Sequence, residues 1–293
     1  MKKIFVLAAV VAAFVACNEP TPTPQPTPEK MPIKISTTIT RANDATFDNG
    51  DKVGIYVVNY SGSTAGTLGN SGNHVNNMQF TFNNNQWTAA TEIYWLDKTT
   101  KTDFYAYYPY GTPTNVNSYA FATKADQSSE ANYWASDFLW GKAAGIAPTE
   151  YAVPITTKHV LSNILIYLVA GEGFTAETLA AATKTVKINN VKTAAQIDLA
   201  TGVATATGNV TTVTAWNTGE YYRAMIVPQT VADGTNLVTV TIDGVDYVLA
   251  SGMTFAANKQ HKCTVTVNKS SGGVNIGIGG WETDENDYGG DAE

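Results

Sequence analysis

Side chains that change character at every second residue commit a chain to β-strands, and here that alternation sets in at Ile33. Ile33, Ile35, Thr37 and Ile39 alternate with Lys34, Ser36 and Thr38, so an extended backbone sends the isoleucines to one face and the polar groups to the other. Val53, Ile55 and Val57 begin a second such strand, and short aromatic strands are expected around Gln79–Phe82 and Gln86–Trp87, joined by Asn83-Asn84-Asn85. Between them, residues 61–77 read as a long Gly/Ser/Asn loop. Asp103–Tyr110 is the densest aromatic stretch, and in a strand its rings divide between two faces, which suits a core position. Further strands are expected at Phe138–Lys142, Ala152–Ile155, Leu161–Val169, Thr185–Val191, Tyr221–Val227, Leu237–Ile242, Val245–Leu249 and Lys262–Val267, with Asp243-Gly244 as a two-residue hairpin turn. Only one segment reads as a helix, near 176–182, where Thr175 supplies the cap.

This pattern predicts an all-β protein with two β-sandwiches in series, covering 33–171 and 172–269 and divided at Gly171-Glu172-Gly173. Ser270-Ser271-Gly272-Gly273 then leads into Val274, Ile276 and Ile278, which alternate like one more strand ahead of an acidic tail that ends at Glu293.

The first seventeen residues follow different rules. Lys2 and Lys3 precede an unbroken apolar run from Ile4 to Phe14, closed by Val15-Ala16-Cys17. The run is too short for a permanent membrane span, which needs about 20 residues. Residues 1–16 have the charge, length and small-residue exit of a secretory signal peptide. Cys17 at the exit resembles the lipobox of bacterial lipoproteins, in which the thiol is acylated. The expectation is export and anchorage in the outer membrane through lipid on Cys17. Prolines at alternate positions of the following stretch to residue 32 favour an extended polyproline II spacer. With Cys17 lipidated, Cys263 is left alone, no internal disulfide forms, and stability must come from packed sheets.

The chemistry that the sequence offers is sparse. A net charge of −7 and a pI near 5.0 exclude a basic nucleic-acid face. His74, His159 and His261 are isolated, and none belongs to a zinc pattern. No nucleophile elbow or phosphate-cradling loop is present. Asp284–Asp291 is the nearest calcium-loop look-alike, but the position of its bidentate Glu lies past Glu293. Cys263, beside Thr264 and Val265, reads as a small buried hydrophobe. The expectations are therefore no cofactor, no metal and no catalytic residues. Trp87, Trp95, Trp134, Trp140, Trp216 and Trp281 raise the alternative of a surface glycan-binding lipoprotein, although scattered tryptophans more often serve a core or rim. An extracellular hydrolase would need paired carboxylates in a cleft.

Several stretches, taken together and in order, resemble the fimbrillin family of Bacteroidales. They are the lipobox at Cys17, Thr40-Arg41 ahead of the run from Phe47 to Tyr56, the run from Phe104 to Tyr110, the run from His159 to Asn163, the run from Met225 to Gln229, and the tail from Ile276 to Trp281. The resemblance implies two transthyretin-like Greek-key β-sandwiches and a non-enzymatic structural or adhesive subunit at the cell surface. Its partners would be other fimbrial subunits and a surface receptor or glycan. In pilin members an Arg-specific protease removes the N-terminal segment with its first strand, and a strand from another subunit fills the opening. By that resemblance the cut falls between Arg41 and Ala42, and Val274, Ile276 and Ile278 form the donor strand. Anchor members keep their lipid and are not cut. Arg41 and Arg223 are the chain's two arginines, and Arg223 falls in an expected strand.

Overall fold

The computed structural model describes residues 30–39, 47–269 and 277–278. Its strands run in chain order as β1 (Ile35–Ile39), β2 (Lys52–Asn59), β3 (Val75–Asn83), β4 (Gln86–Ala89), β5 (Thr102–Tyr108) and β6 (Tyr119–Ala122). Helix α1 (Glu130–Trp134) precedes β7 (Leu139–Ile146), β8 (Val153–His159) and β9 (Ser162–Ala170), and helix α2 (Ala176–Ala181) follows. The rest are β10 (Lys184–Asp198), β11 (Val203–Thr214), β12 (Trp216–Asn217), β13 (Tyr222–Ile226), β14 (Gln229–Val231), β15 (Asn236–Ile242), β16 (Val245–Ala250), β17 (Met253–Phe255), β18 (Gln260–Val267) and β19 (Gly277–Ile278). The all-β expectation holds.

The first half forms a seven-stranded sheet in the order β1-β8-β7-β5-β2-β3-β4. Strand β5 lies at its centre, as the aromatic stretch predicted. Phe104 and Ala106 face one core, with Val53, Ile55 and Val57. Tyr105 and Tyr107 face the other, with Tyr56 and Phe138. The two ends of the sheet come together where the Trp87 Nε1–H of β4 donates to Thr37 Oγ1 of β1 at 2.8 Å. The expected hairpins are present: Asn84 and Asn85 turn β3 into β4 with φ of 50° and 60°, and Asp243 and Gly244 turn β15 into β16 with φ of 48° and 84°. These left-handed pairs match the twist of two-residue hairpins. The loop read over 61–77 is shorter than expected, because β3 already begins at Val75.

Beyond β8 two sheets face each other. One has the order β11-β10-β15-β16, and the other has β12-β13-β9-β18-β19. Ile164 and Ile166 of β9, Ala224 of β13 and Cys263 and Val265 of β18 meet Val186 and Ile188 of β10 and Val238 and Val240 of β15 across the core. Strand β9 pairs antiparallel with β13 and parallel with β18, and β6 pairs with β10. The composition change at Gly171 therefore falls after the change of sheet, since β9 already belongs with strands of the second half. A shared core of Tyr107, Phe138, Trp140, Ala195, Ile197, Leu199 and Met225 joins residues from both halves.

The structure adds a helix that periodicity did not reveal. Helix α1 has five residues, too few to display a helical period; Ser129 caps it by accepting from Asn132 N–H. Helix α2 lies where expected, closed by a reciprocal capping box between Thr175 and Thr178.

Candidate strand-exchange site

Strand β1 occupies one end of the seven-stranded sheet and has one ladder partner, β8. The pairing is parallel, running from Ile35 opposite Val153 to Ile39 opposite Thr157. Val153 N–H donates to Lys34 O at 2.9 Å. Just ahead of the strand, the segment 93–95 grips the chain from the other side. Ile33 N–H donates to Ile93 O at 2.8 Å, and Trp95 N–H donates to Met31 O at 3.0 Å. Ile33 and Ile35 are each only 5% exposed, packed with Phe47, Val53, Phe80, Trp95 and Ile155. Without this segment the edge of β8 over Val153–Thr157 would lose its backbone partners, and the apolar pocket filled by Ile33 and Ile35 would open. A groove of that kind accepts an extended strand, with main-chain bonds giving affinity and side-chain pockets giving register.

Of the site residues expected from sequence, Cys17, Arg41, Ala42, Val274 and Ile276 lie outside the described residues. Ile278 is described: with Gly277 it forms β19, antiparallel to β18, Ile278 facing Val265 and Gly277 facing Thr266. The donor candidate's described part thus lies at the edge of a different sheet from β1. Arg223 lies within β13, between β12 and β9, its backbone opposite Trp216 and Leu165. Its guanidinium sits 4.2 Å from the Tyr133 ring, 5.3 Å from Trp134 and 5.9 Å from Trp216, a cation–π cage contributed by α1 and β12. Burial chiefly, and Asp137 beside it, push the Tyr133 phenol far up, while Arg223 opposes this. A protease needs an extended, accessible backbone, so this arginine is poorly placed for cleavage.

Trp281 lies outside the described residues, and the remaining described candidates have structural partners. Trp95 Nε1–H donates to Thr149 O at 3.1 Å and Trp140 Nε1–H to Leu199 O at 2.8 Å. Trp134 and Trp216 flank Arg223, and Trp87 closes the sheet. Burial raises the Cys263 thiol to about 12, which keeps it protonated and unreactive. His159 Nδ1 lies 2.8 Å from Asp137 Oδ1, His74 Nε2 lies 2.6 Å from Tyr94 O, and His261 Nε2 accepts from Ala256 N–H at 3.2 Å. Among the described residues no group of three or more His, Cys, Asp or Glu side chains is placed to hold a metal ion. Sequence reasoning missed the grip of residues 93–95 on the chain ahead of β1. Their apolar Ile93 and Trp95 were its available signal, masked by the polar turn residues around them.

Comparison with known proteins gives concordant results. A family model described as fimbrillin-like matches residues 40–281. A protein of Bacteroides uniformis, named as a candidate fimbrium subunit, Fim1C, is 29% identical over 257 residues, covering 83% of this chain and 81% of its own length. The crystal structure of a candidate cell adhesion protein from Bacteroides uniformis superposes with a TM-score of 0.64 at 25% identity, covering 88% of this chain and 99% of that one. Another, from Bacteroides ovatus, gives a TM-score of 0.67 at 17% identity over 87% and 98%, a likeness of fold.

Proposed function

Because the chain belongs to the fimbrillin-like family, we propose that it is a non-enzymatic structural or adhesive subunit of a surface fimbrium, joined to its neighbours by exchange of a β-strand. The observation that carries the mechanism is β1. It is an edge strand with one ladder partner, it and the residues just ahead of it bury Ile35 and Ile33, and Arg41 follows two residues after Ile39. In this reading the protein is exported as a lipoprotein through Cys17, and cleavage between Arg41 and Ala42 frees β1 to leave. A neighbour's Val274–Ile278 segment then takes its place along β8. The caged position of Arg223 supports a single cut, because the chain's other arginine is held inside a sheet.

The energetic logic is exchange of like for like. A departing β1 uncovers unpaired backbone groups and an apolar pocket, each costly in water, and an incoming strand restores both. Val274, Ile276 and Ile278 have the period that places three branched side chains on one face, as Ile33, Ile35 and Ile39 do.

N-terminal sequencing of protein recovered from cells tests this. A mature start at Ala42 together with oligomers resistant to mild detergent is expected. Recovery only with Cys17 at the start identifies an anchor that keeps its lipid. Cleavage at Arg41 that leaves a monomer under all conditions overturns strand exchange.

A further inference from the structure

The other sheet edges are short, covered or charged, as natural sheets usually arrange them. Strand β4 has four residues and β12 two, and β16 carries Asp246. Strand β11 departs from that practice. It has twelve residues at the end of its sheet, with β10 as its ladder partner. No charged residue and no proline lies anywhere between Asp198 and Glu220. Val203 and Val210 on it are 58% and 56% exposed. Its far end is engaged, since Thr214 exchanges backbone hydrogen bonds with residues 125 and 127. Gly208, at φ 75°, accompanies a register shift that interrupts the ladder between Thr207 and Val210. The regular, open part is therefore Val203–Thr207, paired without a break to residues 194–198 of β10.

We propose that Val203–Thr207 is a lateral docking edge for the same segment of a second copy of this chain, paired antiparallel about a two-fold axis at Thr205. The chemistry of the strip selects the occupant. It offers no charge for a charged partner to complement, and two copies each carrying −7 can approach closely only across an uncharged strip. The segment is also self-matching. A two-fold at Thr205 sets Thr205 opposite Thr205 and Val203 opposite Thr207, favourable cross-strand pairs on the outer face, and Ala204 opposite Ala206, a small pair that fits the inner face without a clash. The alanines lie on the inner side, where Ala204 and Ala206 pack against the core shared by the two halves, and the larger residues lie outward. The contact joins two five-stranded sheets into one, without using β1, β8 or β19.

The full chain carrying Arg41→Ala, in which the proposed strand exchange is blocked, isolates this contact. Adding Thr205→Cys should give a covalent dimer on mild oxidation, because Cα atoms opposite each other in an antiparallel pair stand about 4.5–5.5 Å apart, within disulfide reach. Thr207→Cys in the same background should not, since its copy lies four residues away along the partner strand. Buried Cys263 does not compete, and Cys17→Ala in the same background removes the chain's other thiol. Thr205→Lys should weaken the dimer at least about tenfold in sedimentation equilibrium, by setting like charges opposite each other, while leaving the melting curve unchanged at dilutions where both proteins are monomeric. Equal cross-linking of the Thr205 and Thr207 variants, or a chain that stays monomeric at high concentration, overturns the proposal. Either result leaves strand exchange at β1 untouched, and loss of strand exchange leaves this contact untouched.

Discussion

His261 shows how a single side chain can carry pH dependence. Burial chiefly, and the neighbouring Lys259, hold its imidazole below the usual histidine value, and Nε2 accepts a hydrogen bond from Ala256 N–H. In the unfolded chain the ring titrates near 6.5. As pH falls through that value the unfolded state takes up the proton first, so folding stability drops; the drop ends once the folded ring is protonated as well. Above neutrality the contribution is complete and flat. Denaturant titrations between neutral and mildly acidic pH should show this slope, and His261→Gln should reduce it. An unchanged slope in the variant would assign the dependence to other groups.

At the scale of elements, β1 rests on few side chains, and Ile35 is the most telling of them. Ile35→Ala removes buried methyl groups from a packed pocket and should cost about 2–4 kcal/mol. The loss should read as a lower urea midpoint at constant m-value. A change below measurement error would mean that β1 contributes little to the sheet it closes. Strands β1 and β2 were legible from sequence because one face of each alternates as uniformly apolar, and β5 because its aromatic run supplies apolar side chains to both faces. Strand β11 was not. Its Val, Thr and Ala residues differ little in hydrophobicity, and the shift at Gly208 breaks the period of two partway along. Strand β10 was legible only over its first half for a related reason: two register shifts and the left-handed Asn190 interrupt the pattern before Asp198. The candidate site was half legible. The alternation from Ile33 to Ile39 announced the strand, but nothing local announced that residues 93–95 would hold it from behind.

Across the whole molecule, Trp140 of β7 ties the first sheet to the β10–β11 hairpin. Its indole N–H reaches Leu199 O, and its ring lies so close to Gly202 that a Cβ there would stand 2.4 Å away. Gly202 also has φ of 73°, so glycine is required at that turn on two counts. This shared core predicts that the wild-type protein melts in one calorimetric transition. Trp140→Ala, at about 3–5 kcal/mol, should split the melt into two. A single sharp transition in the variant would locate the coupling elsewhere, for example at the Gln127 amide, which binds both the N–H and the C=O of Met225.

The parallel ladder between β1 and β8 has a mechanical consequence. Tension entering the body at residue 30 and directed along β1 loads its five residue pairs with β8 together, in shear, instead of peeling them one at a time. The grip of residues 93–95 adds two more bonds in the same line of pull. A strap loaded this way fails at a rate set by its barrier rather than by its equilibrium stability. The strand proposed to be exchanged is therefore slow to surrender under force.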